Sequence, residues 1–180
     1  MTPERSSTIP LPDGRRLGYA EYGDPAGEPW FYFHGTPGSR FEARFAHDAA
    51  TRHHVRLIAV DRPGYGLSGF QPRRRIRDWP ADVAQLAGQL GIERFGVIGL
   101  SGGGPHALAC ALAMPERVIA AGLVSSAAPI EAYIARSKSA FGRLLQRALL
   151  PFVRFWMWLL VLWMSFILPR LSERWIPRWP

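Results

Sequence analysis

Five residues, Gly99-Leu100-Ser101-Gly102-Gly103, set a serine among glycines at the spacing G-x-S-x-G. The pattern has chemical meaning only where a strand runs straight into a helix. The apolar run Phe95–Leu100 precedes it, and a helix-forming run over 105–114, stopped at Pro115, follows. A residue at such a junction is forced into a strained backbone, and side chains on its neighbours would collide. Glycine at 99 and 103 removes them. Ser101 is therefore predicted to project at the carboxyl end of the sheet, near the positive end of the next helix, as a nucleophile toward a carbonyl carbon.

Attack on a carbonyl needs backbone N–H groups for the oxyanion. The residue after the nucleophile, Gly102, is one predicted donor. A second comes from the loop His34-Gly35-Thr36-Pro37-Gly38, where Thr36 is the best candidate and Gly35 and Gly38 allow the tight turn. Two other glycine patterns lack the context that would give them function. Gly64-Tyr65-Gly66-Leu67-Ser68-Gly69 matches G-x-G-x-x-G, but Gln71-Pro72-Arg73-Arg74 is a poor helix opening for a dinucleotide. The glycines at 99–104 have P-loop spacing, yet Pro105-His106 replaces the Lys-Ser/Thr that phosphate and magnesium require. The adjacent pair His53-His54 is not a usual metal-ligand spacing. No cofactor and no metal are expected.

Elements that could hold these groups run along the chain in order. Thr8 to Leu11, the turn pair Asp13-Gly14 and the stretch from Arg15 to Tyr22 read as a hairpin. Trp30-Phe31-Tyr32-Phe33 and Val55–Val60 read as buried parallel strands. Ser39 and Glu42 match a capping box, predicting a helix with Phe41, Phe45 and Ala49 on its apolar face. Asp78 is placed to cap a helix carrying Trp79, Val83, Leu86, Ala87 and Leu90, ended by Gly91. A last strand covers 118–125. The alternation predicts an α/β fold: a mainly parallel sheet of about six strands, helices on both faces, and the hairpin as antiparallel edge.

The ordered set of Asp13-Gly14-Arg15, His34-Gly35, Asp61-Arg62-Pro63-Gly64-Tyr65-Gly66-Leu67-Ser68 and the turn at Ser101 resembles the α/β-hydrolase family over about residues 9–131. The resemblance implies hydrolysis of an ester, amide or thioester of a small-molecule acyl substrate. It also implies a triad in the chain order nucleophile, acid, histidine. Serine as nucleophile separates the chain from relatives that open epoxides or remove halide with aspartate, and from the dienelactone type with cysteine. The family's acid and histidine have no counterpart in these 180 residues. His106 lies on the helix after Ser101, His34 belongs to the oxyanion loop, and Glu131 falls a few residues late for the acid. The expectation is a hydrolase core truncated before its last strands, with little turnover of simple esters. A non-catalytic fragment or a ligand-binding relative is the alternative.

Composition fits a globular domain: 48% hydrophobic and 20% charged residues in 180. The net charge of +8 comes almost wholly from arginine, since Lys138 is the only lysine. The basic residues are scattered apart from Arg73-Arg74-Arg75 and Arg77, which read as a solvated loop or, alternatively, a patch for phosphate or acidic lipid. No nucleic-acid partner is expected. Cys110 is the only cysteine, and Met1 to Pro12 has no apolar signal core, so a cytoplasmic location is expected. The tail differs. Residues 155–168 are free of charge and hold Trp156, Trp158 and Trp163. The division is therefore a hydrolase core over 1–130 and a hydrophobic, tryptophan-rich cap segment over 131–180. Residues 148–168 could instead associate with a membrane surface, the alternative being a peripheral membrane protein. The strand at 118–124 is apolar on both faces and would be an open edge, a site for self-association.

Overall fold

The computed structural model describes residues 5–126 and, further on, the helical positions 148, 151, 152, 155, 156, 158, 159, 162 and 163. The chain divides into two compact units, Met1–Ala127 and Ala128–Pro180. The boundary expected at 130 and the acid candidate Glu131 lie outside the described residues.

The first unit is a six-stranded sheet. Its strands are β1 (Arg5–Pro10), β2 (Arg16–Gly23), β3 (Glu28–Phe33), β4 (Val55–Val60), β5 (Phe95–Leu100) and β6 (Val118–Val124). Their order is β1-β2-β4-β3-β5-β6. The β1–β2 and β2–β4 pairs are antiparallel, and β4, β3, β5 and β6 run parallel. The hairpin forms as the sequence predicts: Ile9 faces Leu17, and Gly14 takes a φ of +83° in the turn. Parallel neighbours need crossovers, supplied by α1 (His47–Arg52), α2 (Trp79–Gln89) and α3 (Gly104–Ala113).

Alternation along β3 divides the core. Phe31 and Phe33 join Leu17, Ile58, Val60, Phe95 and Val97 beneath Val83 and Leu86 of α2 and Ala107 and Cys110 of α3. Tyr32, between them, faces the other way with Ala20, Leu57 and Ala59, against Ala43 and Ala50. Phe31 and Phe95 meet edge to face at 4.8 Å, a geometry worth about 1 kcal/mol beyond area burial. Asp82 of α2 holds Arg15 through two hydrogen bonds of 3.0 and 2.8 Å, tying the hairpin to the sheet's helical cover. Cys110 is fully buried, and burial raises its thiol to about 12.

Two local expectations are corrected. The segment after Ser39 is a 3-10 helix over Arg40–Ala46, and its buried residues are Arg40 and Ala43. A 3-10 turn repeats every three residues, so 40 and 43 share a face. The expected four-residue spacing puts Phe41 and Phe45 in solvent, Phe45 at 72% exposure. Ser39 does cap, accepting from the Phe41 N–H, but Glu42 does not close the capping box; its carboxylate turns to Tyr32 and Gly35. Asp78 makes no side-chain cap on α2. It acts one turn earlier, accepting from the Arg75 N–H at 2.7 Å across a 3-10 turn over Ile76–Asp78.

β6 borders the sheet, and its Ile119, Leu123 and Val124 are 39, 44 and 45% exposed. In the second unit Phe152, Phe155, Trp156, Trp158 and Trp163 are exposed as well. Among the described residues no helix is long and apolar enough to cross a membrane. Among the described residues no strand pairs with the outer side of β6, and an apolar edge of this kind offers its N–H and C=O groups to another strand. We expect the 180-residue chain to elute above its 20.1 kDa monomer mass in size-exclusion chromatography with light scattering. Leu123→Lys, which places a charge on the edge, should shift it toward monomer.

Candidate active site

Ser101 opens the 3-10 turn Ser101–Gly103 that joins β5 to α3. Its φ is +48°, while Leu100 before it is extended at φ −95°. A side chain in this left-handed region costs about 1–2 kcal/mol. Packing around the turn enforces it. A Cβ on Gly99 would run into the Gly103 carbonyl, one on Gly103 into the Phe33 carbonyl, and one on Gly104 into the Ser126 hydroxyl. Glycine is thus required at 99 and 103, as expected, and at 104, where the sequence pattern is silent.

The structure brings the loop after β3 against this turn. A Cβ on Gly102 would stand 2.7 Å from Thr36 Oγ1, and one on Gly35 would stand 3.5 Å from Ser101 Cβ. Ser101, Gly102, Gly35 and Thr36 therefore form one cluster, with the Thr36–Pro37 peptide cis. His34 stands behind it, fully buried.

Gly35 is held from both sides. Its N–H donates to Glu42 Oε1 at 3.0 Å, an oxygen that also accepts from the Tyr32 hydroxyl at 2.6 Å. Its carbonyl accepts from Arg62 Nη2 at 2.7 Å. In a trans peptide the carbonyl and the next N–H point in opposite directions. Anchoring the Gly35 carbonyl on Arg62 therefore aims the Thr36 N–H away from Arg62. Burial and the Glu42 carboxylate both raise the Tyr32 phenol, which stays a donor.

Arg62 is 3% exposed and forms no ion pair among the described residues. Besides Gly35 it donates to Thr36 Oγ1 at 2.7 Å and to the Gly102 carbonyl at 3.3 Å. One guanidinium thus touches both sides of the cluster. Its ring neighbour is Tyr65, 4.9 Å below the guanidinium carbon. Burial lowers its pKa, but an arginine keeps its charge. Asp61, the preceding residue, is fully buried and pairs with Arg40 at 2.8 Å while accepting from the Arg40 and Leu67 N–H groups. The sequence reading does not place Arg62, Glu42 or Tyr32 in the site, and it assigns Glu42 to a capping box instead. The available signal was Asp61-Arg62-Pro63-Gly64, legible as a family landmark but not as a clamp.

Neither nearby histidine hydrogen-bonds to Ser101 among the described residues. His34 Nε2 accepts from the Arg62 N–H at 3.1 Å, so Nδ1 carries the hydrogen and donates to the Gly35 carbonyl at 2.8 Å. His106 Nδ1 lies 3.1 Å from the Gly102 carbonyl, four residues back in the 3-10 turn that leads into its helix. Burial pushes both imidazoles down to about 4, assisted by the Arg62 charge. A base whose folded pKa lies below its unfolded value favours the fold only while neutral. Stability is therefore fully present above pH 6.5 and falls as pH drops from 6.5 toward 4. The loss should reach about 3 kcal/mol for each histidine. Urea unfolding followed from pH 7.5 to 4 checks this; His106→Gln should flatten the slope, and equal slopes would refute the assignment.

The alpha/beta hydrolase fold family matches residues 31–157. Over 126 residues the chain is 33% identical to a proline iminopeptidase of Xylella fastidiosa, covering 65% of this chain and 38% of that protein. Over 125 residues it is 35% identical to a non-heme chloroperoxidase of Streptomyces lividans, covering 68% and 45%. Among solved structures, the epoxide hydrolase from an endophytic Streptomyces superposes with a TM-score of 0.59 at 28% identity, over 68% of this chain and 37% of that one. The chain thus spans less than half the length of these relatives.

Proposed function

The chain belongs to the α/β-hydrolase fold family, and we propose that Ser101 is the nucleophile of a serine hydrolase cleaving an ester-, amide- or thioester-type carbonyl. The observation that carries this reading is the position of Ser101: a strained serine at φ +48°, with Thr36 and Gly102 packed beside it. Ser101 Oγ attacks the carbonyl carbon and loses its proton to a general base. The carbonyl electron pair moves onto oxygen, where the N–H groups of Thr36 and Gly102 receive it. Collapse expels the leaving group and leaves an acyl-serine, which water then cleaves. Arg62 and Glu42 act through the backbone, holding Gly35 so that the Thr36 donor is in place before charge develops.

His34 is not the proton acceptor, because both its ring nitrogens are committed to backbone groups, and His106, with Nδ1 on the Gly102 carbonyl, makes no hydrogen bond to Ser101 among the described residues. In the family's chain order the acid and the histidine follow strands later than β6. That commitment also favours a second reading, a relative that binds an acyl ligand without turning it over. The epoxide hydrolase likeness does not extend to the nucleophile, which is serine here rather than aspartate.

The two readings differ in covalent chemistry. Incubated with excess 4-nitrophenyl acetate at mildly alkaline pH, the 180-residue chain should acquire an acetyl group on Ser101, detected by peptide mass spectrometry. Steady-state release of nitrophenol should stay near background. Ser101→Ala should abolish the label. Arg62→Met should slow labelling by roughly 10–100-fold, somewhat less than outright loss of one oxyanion donor. A folded chain that is never acylated at Ser101 would establish the binding reading instead.

A further inference from the structure

A small cavity of about 110 Å³ lies between the loop after β4, the start of α2 and α3, among Gln71, Arg74, Arg75, Trp79 and His106. No acidic side chain lines it. We infer that this cavity takes a compact oxyanion, the carboxylate or phosphate group of the acyl substrate that Ser101 attacks. The inference rests on reading Ser101 as the nucleophile, and it adds the substrate's charge to that reading.

Charge, shape and position support it together. Arg74 is half-buried, and neither it nor Arg75 forms an ion pair among the described residues. The nearby carboxylate on the same segment, Asp78, is turned to the Arg75 backbone N–H. Burial chiefly, with the charges of Arg62 and Arg74 added, keeps the His106 imidazole toward its neutral form. Positive charge gathered around a cavity without a carboxylate is matched by an incoming anion. The forked guanidinium fits both planar carboxylate and tetrahedral phosphate. The cavity holds a few waters at ~30 Å³ each, hence one such group but not a bulky one. Trp79 in its wall carries a buried indole N–H with no acceptor. Arg73, next to Arg74, sits in the left-handed region at φ +55°, strain of the kind found at ligand clamps.

The cavity also adjoins the reacting serine. His106 in its wall binds the carbonyl of Gly102, the residue that follows Ser101. Pro63, also in the wall, follows Arg62, which binds that same carbonyl. Two residues at the cavity, His106 in its wall and Arg62 beside Pro63, thus hold the peptide that follows the nucleophile.

Equilibrium dialysis of the 180-residue chain against radiolabelled inorganic phosphate, and separately against labelled acetate, at constant ionic strength in sodium chloride, tests the site. We expect saturable binding of at least one ion, at one per chain; the ion that binds names the group. Arg74→Gln should weaken it tenfold or more and Arg74→Lys only a few-fold. Arg52→Gln, on the exposed end of α1, should leave it unchanged, and so should Ser101→Ala. A second readout assigns the ion to the substrate: the hemisuccinate ester of 4-nitrophenol should acylate Ser101 faster than the acetate ester, and Arg74→Gln should remove the preference. No saturable binding, equal losses in Arg74→Gln and Arg52→Gln, or no preference for the anionic ester would overturn the proposal. Failure of the nucleophile reading looks different: anion binding would persist while Ser101 takes no acyl group from either ester.

Discussion

The Gly35 peptide is gripped between two opposite charges, and the geometry of the Ser101 end of the sheet follows from that grip. Glu42 takes the N–H and Arg62 the carbonyl, at 3.0 and 2.7 Å. Each partner arrives from a different part of the chain: Glu42 from the 3-10 helix after β3, Arg62 from the end of β4. The loop between His34 and Ser39 therefore cannot relax without breaking charge-assisted hydrogen bonds, each worth about 1.5–3 kcal/mol. Since Arg62 also reaches Thr36 and Gly102, the same contacts join the loop to the serine turn. A site that must stabilise a short-lived charge benefits from dipoles already fixed in place.

This grip determines local structure that propensity alone misreads. Ser39 and Glu42 have the spacing of a capping box, and an isolated helix would use Glu42 that way. Here the carboxylate has a better partner, a glycine N–H in a buried turn, and the segment tightens into a 3-10 helix with Arg40 and Ala43 inward. Arg40 then meets buried Asp61, and removing one partner of such a pair costs about 3–5 kcal/mol. The elements with clean periodicity were legible: the hairpin, the parallel strands, the inward face of α2 and the glycines flanking Ser101. The polar contacts were not, because hydrogen bonds between residues 7 to 40 positions apart, set by loops and strand ends, leave no periodic trace. Arg62 reads in sequence as one basic residue among 22. Only the fold reveals it as the group that spans the cluster.

The electrostatics of the site are one-sided. Arg62 and Arg74 are positive and lack ion-pair partners among the described residues, while burial and the Arg62 charge keep His34 and His106 toward their neutral forms, with Arg74 adding to the effect on His106. The nearby carboxylates are engaged: Glu42 by Tyr32 and Gly35, Asp61 by Arg40. Such a field favours a reaction in which negative charge grows on the substrate, whichever acyl group carries it. The scattered arginines that give the chain its +8 are thus not equivalent, since Arg62 at this end of the sheet is buried against the Ser101 turn and not in solvent.

Cys110 gives the molecule an internal clock. It is the chain's only thiol, it lies sealed in the core on the inward face of α3, and burial raises it to about 12, so no reagent or thiolate chemistry reaches it in the closed state. α3 is also the helix that follows the Ser101 turn. Any reaction of a maleimide or disulfide reagent with the native chain must therefore wait for α3 to lift from the sheet, and its rate measures how often the platform beneath the serine comes apart.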